Sequence, residues 1–247
     1  MKFMMMHKTD AYYEQGGKPS KEVIAGVGKM VGDAARSGRL LAGDGLGPSA
    51  QGVRLKFSGG TRTVIAGPLT GGNELVAGFA VMRVRSLDEA IDWASRFAAV
   101  VGDAEIDVRP ANEPWDIGLG EKPAGLTTRR YIAMHKADAR FEAGAQPTQA
   151  ETEAMQKLIG EMTKAGVLLA TASLEPSSRA VRLRNFGGKP TLVDGPFAES
   201  KELVGGFAIL ELDSRDEAIA WARRYVDVLG EVELDIRPVA GFTVFGR

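Results

Sequence analysis

With 2 histidines and no cysteine in the chain, side-chain chemistry that needs a group titrating near neutrality rests on His7 and His135. A histidine beside a carboxylate is the simplest general base, because the carboxylate orients the ring and stabilises the proton it takes up. The candidate partners of His135 are Asp138, Asp194 and Asp235, and those of His7 are Asp10 and Asp107. Arg54, Arg109, Arg182 and Arg237 stand beside apolar strand residues. There a guanidinium can hold an anionic ligand, or pair with Glu105, Asp107, Glu233 or Asp235. As a catalytic set this gives His135 as base and Asp194 or Asp235 as its orienting carboxylate. Arg182 and Arg237 would hold ligand charge, with Phe197 and His7 as further ligand contacts. The structural alternative is plainer: strand-end histidines making ordinary hydrogen bonds, an Asp194 side chain capping a tight turn, and arginines paired within a sheet. Nothing in the sequence groups ligands for zinc, and neither a metal nor a cofactor is expected.

These residues recur at a fixed offset. Position 7 maps onto 135 with a shift of 128, and the same shift lays Val53-Arg54-Leu55 on Val181-Arg182-Leu183, Gly78-Phe79 on Gly206-Phe207, and Arg109-Pro110 on Arg237-Pro238. The chain is a tandem duplication, so the two copies show which side chains the scaffold needs and which one copy has lost. The informative difference is a loop. Where the second copy reads Asp194-Gly195-Pro196-Phe197-Ala198-Glu199-Ser200-Lys201-Glu202, the first reads Ala66-Gly67-Pro68-Leu69-Thr70-Gly71-Gly72-Asn73-Glu74. The turn formers persist while the chemistry does not, which places any single working site on the second loop.

Each copy carries the same element pattern. First strands run over Phe3 to Lys8 and Tyr131 to Lys136, followed by helices that start at Ser20 and at the capping box Thr148-Gln149-Ala150-Glu151. Short apolar stretches follow at Leu40–Leu41 and Leu168–Leu169, then hairpins turned by Gly59-Gly60 and Gly187-Gly188. Long strands at Val76 to Val84 and Val204 to Leu212 lead into capping boxes at Ser86 and Ser214, whose helices bury Trp93 and Trp221 and end near Gly102 and Gly230. In the last strands, Val232, Leu234 and Ile236 must face the helices, leaving Glu231, Glu233, Asp235 and Arg237 on a helix-free face. For the first strands, the better apolar face is Met4 and Met6, or Ile132 and Met134. This points the histidines away from the helices and towards a cavity between two sheets. The expected organisation is a domain over 1–119, a linker over 120–129 and a second domain over 130–247. Each is an α+β unit of β-α-hairpin-β-α-β order, with the two packed sheet to sheet as a pseudo-dimer within one chain. Further oligomerisation is left open.

The bulk numbers exclude several classes. The 31 Lys+Arg balance 32 Asp+Glu, so the basic excess of a nucleic-acid binder is missing. The Met-rich start is cut short by His7-Lys8 before a signal core could form, and no run of residues is long and apolar enough for a membrane span. A cytoplasmic location is expected.

The string Asp194 to Glu202, followed by Gly205-Gly206-Phe207, resembles the signature of DGPF proteins, a branch of the YCII-related family. Lys136-Ala137-Asp138, Glu142-Ala143-Gly144 and the Gly166 to Pro176 segment resemble it too. The likeness covers 130–240 sharply, and 2–111 through the repeat. It implies two ferredoxin-like domains forming a dimeric α/β barrel, and a protein of undefined molecular activity; with the strand arginines, the reading is a small-molecule binding or accessory role, the ligand a small anionic or cyclic compound. It also implies two alternatives: a lyase, isomerase or dehydrohalogenase using a His–Asp pair, or a regulatory partner of an extracytoplasmic-function sigma factor.

Overall fold

The computed structural model describes residues 1–198 and 200–245; Glu199 of the second-copy loop lies outside the described residues. The first copy supplies β1 (Lys2–Lys8), α1 (Ala11–Glu14), α2 (Lys21–Arg36), β2 (Leu40–Gly45), β3 (Val53–Ser58), β4 (Thr61–Ala66), β5 (Val76–Val84), α3 (Leu87–Val101) and β6 (Ala104–Pro110). The second supplies β7 (Arg129–Lys136), α4 (Ala139–Glu142), α5 (Gln149–Lys164), β8 (Leu168–Leu174), β9 (Val181–Phe186), β10 (Lys189–Asp194), β11 (Val204–Glu211), α6 (Arg215–Leu229) and β12 (Val232–Val244). Each long helix starts where a hydroxyl can satisfy an otherwise orphan N–H: Ser20, Ser86, Thr148 and Ser214 accept from Val23, Glu89, Glu151 and Glu217 respectively. The α3 and α6 helices stop at Gly102 and Gly230, whose φ values of 86° and 85° suit glycine. Among the described residues, no helix is long and apolar enough to cross a membrane.

The two compact units of the chain are not its two sequence copies. One unit takes Met1–Gly45, Gly71–Glu74 and Leu174–Ala240; the other takes Leu46–Thr70, Leu75–Ser173 and Gly241–Arg247. In the first unit an antiparallel sheet runs β2-β11-β1-β12-β9-β10. In the second it runs β8-β5-β7-β6-β3-β4. The β-α-β opening of each copy therefore pairs with the hairpin-β-α-β remainder of the other. Domains bounded at 1–119 and 130–247 are what the hydrophobic pattern predicts. That pattern cannot distinguish self-pairing from exchange, because equivalent strands present equivalent side chains to either partner. The coarse class stands as α+β with antiparallel sheets, and neither sheet closes on itself among the described residues.

Register corrects the face assigned to the histidines. His7 lies opposite Leu234, and His135 opposite Ile106. Leu234 and Ile106 belong to the helix-packed cores, together with Trp221, Ala222 and Val226 of α6 in one unit and Ala90, Ala94 and Ala98 of α3 in the other. Phe3, Met5 and His7 thus point to the helices, as do Tyr131, Ala133 and His135. Met4 and Met6 share the opposite face with Arg237 and Asp235. The expectation fails because both faces of β1 and β7 are buried, so apolar contrast between alternate residues carries no direction.

Candidate functional site

The buried charges of the helix-free faces form two equivalent clusters. In the first unit Arg182 grips Asp235 with two bonds, Nε to Oδ1 at 2.6 Å and Nη2 to Oδ2 at 3.1 Å. Lys8 Nζ approaches the same carboxylate at 3.1 Å, and Glu233 approaches Arg182 Nε at 3.2 Å. In the second unit Arg54 holds Asp107 at 2.7 and 2.9 Å, with Lys136 Nζ at 2.9 Å. Burial pushes both carboxyls up, but the hydrogen bonds and charges of the arginine and lysine beside each outweigh it and hold Asp235 and Asp107 below the usual carboxylate range. Arg237 is 0 % exposed and donates to the Glu175 carbonyl at 2.5 Å. Its counterpart Arg109 donates twice to the Gly47 carbonyl, at 3.1 and 2.6 Å. The sequence proposes Arg182 and Arg237 as holders of ligand charge and Asp235 as a partner of His135. In the structure these side chains bind one another and the backbone, and Asp235 belongs to the unit that does not contain His135.

The loop that differs between copies has an equally local explanation. Gly195 and Gly67 are fixed by space, since a Cβ on either would fall 1.8 or 1.9 Å from the carbonyl oxygen of Ser177 or Ser49. Both serines hold the loop in the same way, with Phe197 N donating to Ser177 Oγ at 3.1 Å and Leu69 N to Ser49 Oγ at 3.0 Å. Phe197 lies under the Arg182 guanidinium, 4.2 Å from ring centroid to Cζ, which makes it a packing partner of the ion cluster. Asp194, the distinctive acid, is 75 % exposed and pairs with Arg215, the first residue of α6, itself 48 % exposed. At the matching positions the first copy has Ala66 and Leu87, so the two partners changed together. A shallow cavity of about 300 Å³ beside the pair is lined by Met1, Phe3, Arg179 and Pro238 among others. His135 is in the other unit, so the catalytic pairing of His135 with Asp194 or Asp235 is not assembled within either unit. The same membership separates His7 from Asp107.

The histidines themselves sit in related but unequal surroundings. His7 is enclosed. Its Nδ1 lies 3.1 Å from the Tyr225 hydroxyl of α6, and a Cβ on Gly206 would fall 2.5 Å from its Cε1. Burial, followed by the charge of Lys8, pushes His7 down to about 4. In the second unit the residue facing the histidine is Phe97, whose ring meets His135 edge-on with centroids 5.2 Å apart. Tyr13, whose charge acts on Tyr225, likewise becomes Phe141, so neither hydroxyl has a counterpart in the second unit. Instead His135 lines a cavity of about 360 Å³ with Val100, Val101, Phe141, Pro147 and Met155 as apolar walls, and Asp103, Asp138, Arg140 and Glu151 as its ionisable groups. Burial lowers the pKa of His135, opposed by the charge of Asp138. Asp138 also caps α4, accepting from Phe141 N at 2.7 Å. Among the described residues no carboxylate hydrogen-bonds the His135 ring, and no cluster of His, Asp or Glu could hold a metal ion. The place of Phe97, Phe141 and Met155 around His135 is not apparent from the sequence pattern, although comparing Tyr13 with Phe141 and Tyr225 with Phe97 is a signal that points to the first two.

The second copy's Asp138, His135 and loop residues therefore mark one open pocket and one solvent-facing ion pair. A protein of Rhizobium meliloti (strain 1021), described as uncharacterized, is 43 % identical over 60 residues, which is 24 % of this chain. The chain spans about half the length of that curated relative, 48 %. The YCII-related domain matches twice, over residues 1–110 and again over 130–233. Together with the α+β fold and the duplicated scaffold around the Gly-Pro loops, these two matches place the chain in the YCII-related domain family.

Proposed function

We propose that this is a small-molecule-binding protein whose ligand site is the pocket at His135. One observation carries the reading: two copies of one scaffold hold the same histidine, yet one is closed by the Tyr225 hydroxyl and the other opens into a cavity of about 360 Å³. A cavity of that size with apolar walls and a few polar groups suits a compound of one ring and a short chain. His135, kept neutral by burial, offers one ring nitrogen as acceptor and the other as donor. Binding is favoured over proton transfer because, among the described residues, no carboxylate orients the ring through a hydrogen bond.

A thermal-shift screen of small ring compounds tests this, run on the wild type and on His135→Ala. Compounds that raise the melting temperature of the wild type are expected to lose that effect in the variant. If every stabilising compound acts equally on both proteins, the site is elsewhere.

A further inference from the structure

The charges around the His135 pocket are unbalanced once their own pairings are removed. Arg140 and Glu151 neutralise each other, with Nη1 to Oε1 at 2.6 Å and Nη2 to Oε2 at 2.8 Å. The pairing fixes both groups, and Glu151 is lowered to about 2, chiefly by the Arg140 bonds. Two carboxylates are left. Asp103 accepts from Gly59 N at 3.0 Å and Ser58 Oγ at 3.3 Å; Asp138 accepts from Phe141 N. Neither forms an ion pair among the described residues, although Asp138 lies near enough for its charge to act on Arg140, whose own bonds go to Glu151. Both are held in place by backbone donors that serve a turn and a helix start, so they face the cavity already ordered and need no rearrangement to meet a cation.

From this balance we infer that the ligand of the His135 pocket is an organic cation, a primary or secondary amine carried on an apolar ring. The inference rests on the ligand-site reading given above and adds its charge. The ring packs against Val100, Val101, Phe141 and Met155, and the ammonium faces Asp138 with the neutral His135 ring as a second acceptor. A carboxylate ligand would meet Asp103 and Asp138 as like charges, and would have to displace Glu151 from Arg140. The anionic ligand expected from the strand arginines is thereby replaced by its opposite. Arg182 and Arg237 are held by protein groups in the other unit, while the open pocket is acidic.

Imidazole NMR resonances of the full chain test the inference, since the only other histidine, His7, serves as an internal control. The probes are benzylamine, benzyl alcohol and benzoate, equal in size and different in charge, titrated separately at constant pH and ionic strength. Benzylamine is expected to shift the His135 resonances and leave those of His7 in place, binding about fivefold more tightly than benzyl alcohol, as one partly solvated ion pair would give. Benzoate should bind weakest. In Asp138→Asn, which keeps a capping side chain, the amine and the alcohol should become equal while the affinity for the alcohol is unchanged. If the alcohol or benzoate matches benzylamine on His135 in the wild type, the charge assignment is wrong and the pocket remains a ligand site. If none of the three moves His135, or if His7 moves instead, both readings are overturned.

Discussion

The Tyr225 hydroxyl lies 3.1 Å from His7 Nδ1, and the equivalent position in the other unit carries Phe97, with its ring edge-on to His135. One oxygen thus separates a satisfied, enclosed histidine from one that faces a cavity. A buried imidazole nitrogen without its partner is costly, so the hydroxyl is expected to matter where it is present and to interfere where it is introduced.

Reciprocal substitutions test that relationship. Tyr225→Phe should lower stability by about 1–2 kcal/mol, because the ring is retained and only the hydrogen bond to His7 is lost. Phe97→Tyr should place a hydroxyl by His135, leave stability within roughly 1 kcal/mol, and weaken any ligand of that pocket. Urea denaturation and ligand titration of the two variants separate these effects. Equal loss of stability in both would mean that ring packing and not the hydrogen bond is being measured.

The two histidines also predict an acid dependence. His7 is pushed down to about 4, below its unfolded value of 6.5, so the unfolded chain binds the proton more readily. The stability associated with neutral His7 is therefore complete above pH 6.5 and is lost as pH falls from there towards 4. A shift of that size corresponds to a loss on the order of 3 kcal/mol. His135 is shifted in the same direction. His7→Gln, compared with wild type by urea denaturation at pH 7 and pH 4.5, should flatten the fall in stability, although acid protonation of Asp235 and Asp107 remains in both proteins. Parallel slopes would show that His7 titrates normally in the folded state.

Much of the architecture can be read from residues. Hydroxyl caps at Ser86 and Ser214, glycine stops at Gly102 and Gly230, and the alternation of Val232, Leu234 and Ile236 are local signals, and the helices and strands follow them. The direction of His7 and His135 is not local. It depends on Leu234 and Ile106 lying opposite them, and neither Met4 nor Met6 reveals it, because β1 is buried on both sides. Exchange between copies is hidden for a related reason: Met5 would meet an apolar neighbour in either pairing. The pocket was legible in principle, since Tyr13 to Phe141 and Tyr225 to Phe97 are visible differences between the copies. The Asp194 loop is the larger difference between the copies because more residues change there, yet its acid serves Arg215.

Asp235 and Asp107 are the carboxylates whose loss should be felt in stability. Asp235→Ala would leave Lys8 and Arg182 buried without their shared counter-charge, and Asp107→Ala would do the same to Lys136 and Arg54. Removing one partner of a buried ion pair costs about 3–5 kcal/mol. Each variant should show that loss by denaturation at neutral pH, since Glu233 and Glu105, at 3.2 and 3.4 Å from the arginine Nε, are already engaged by Arg184 and Lys56. A change below roughly 1 kcal/mol would mean that water or rearranged side chains solvate the cations.

Asp194 should behave in the opposite way, although it opens the most distinctive string in the chain. It is 75 % exposed, and its partner Arg215 is 48 % exposed, so solvent and salt screen the attraction. Exposed pairs of this kind contribute about 0–1 kcal/mol. The first copy already shows a tolerated replacement, Ala66 with Leu87. Asp194→Ala and Arg215→Leu, alone and together, form a double-mutant cycle whose coupling is expected to stay below about 1 kcal/mol and to shrink in high salt. Ligand-induced shifts of His135 should be unchanged in all three variants, because Asp194 and Arg215 belong to the unit without that pocket. A large loss of ligand response in Asp194→Ala, with stability intact, would instead return the loop to the working site and count against the assignment to His135.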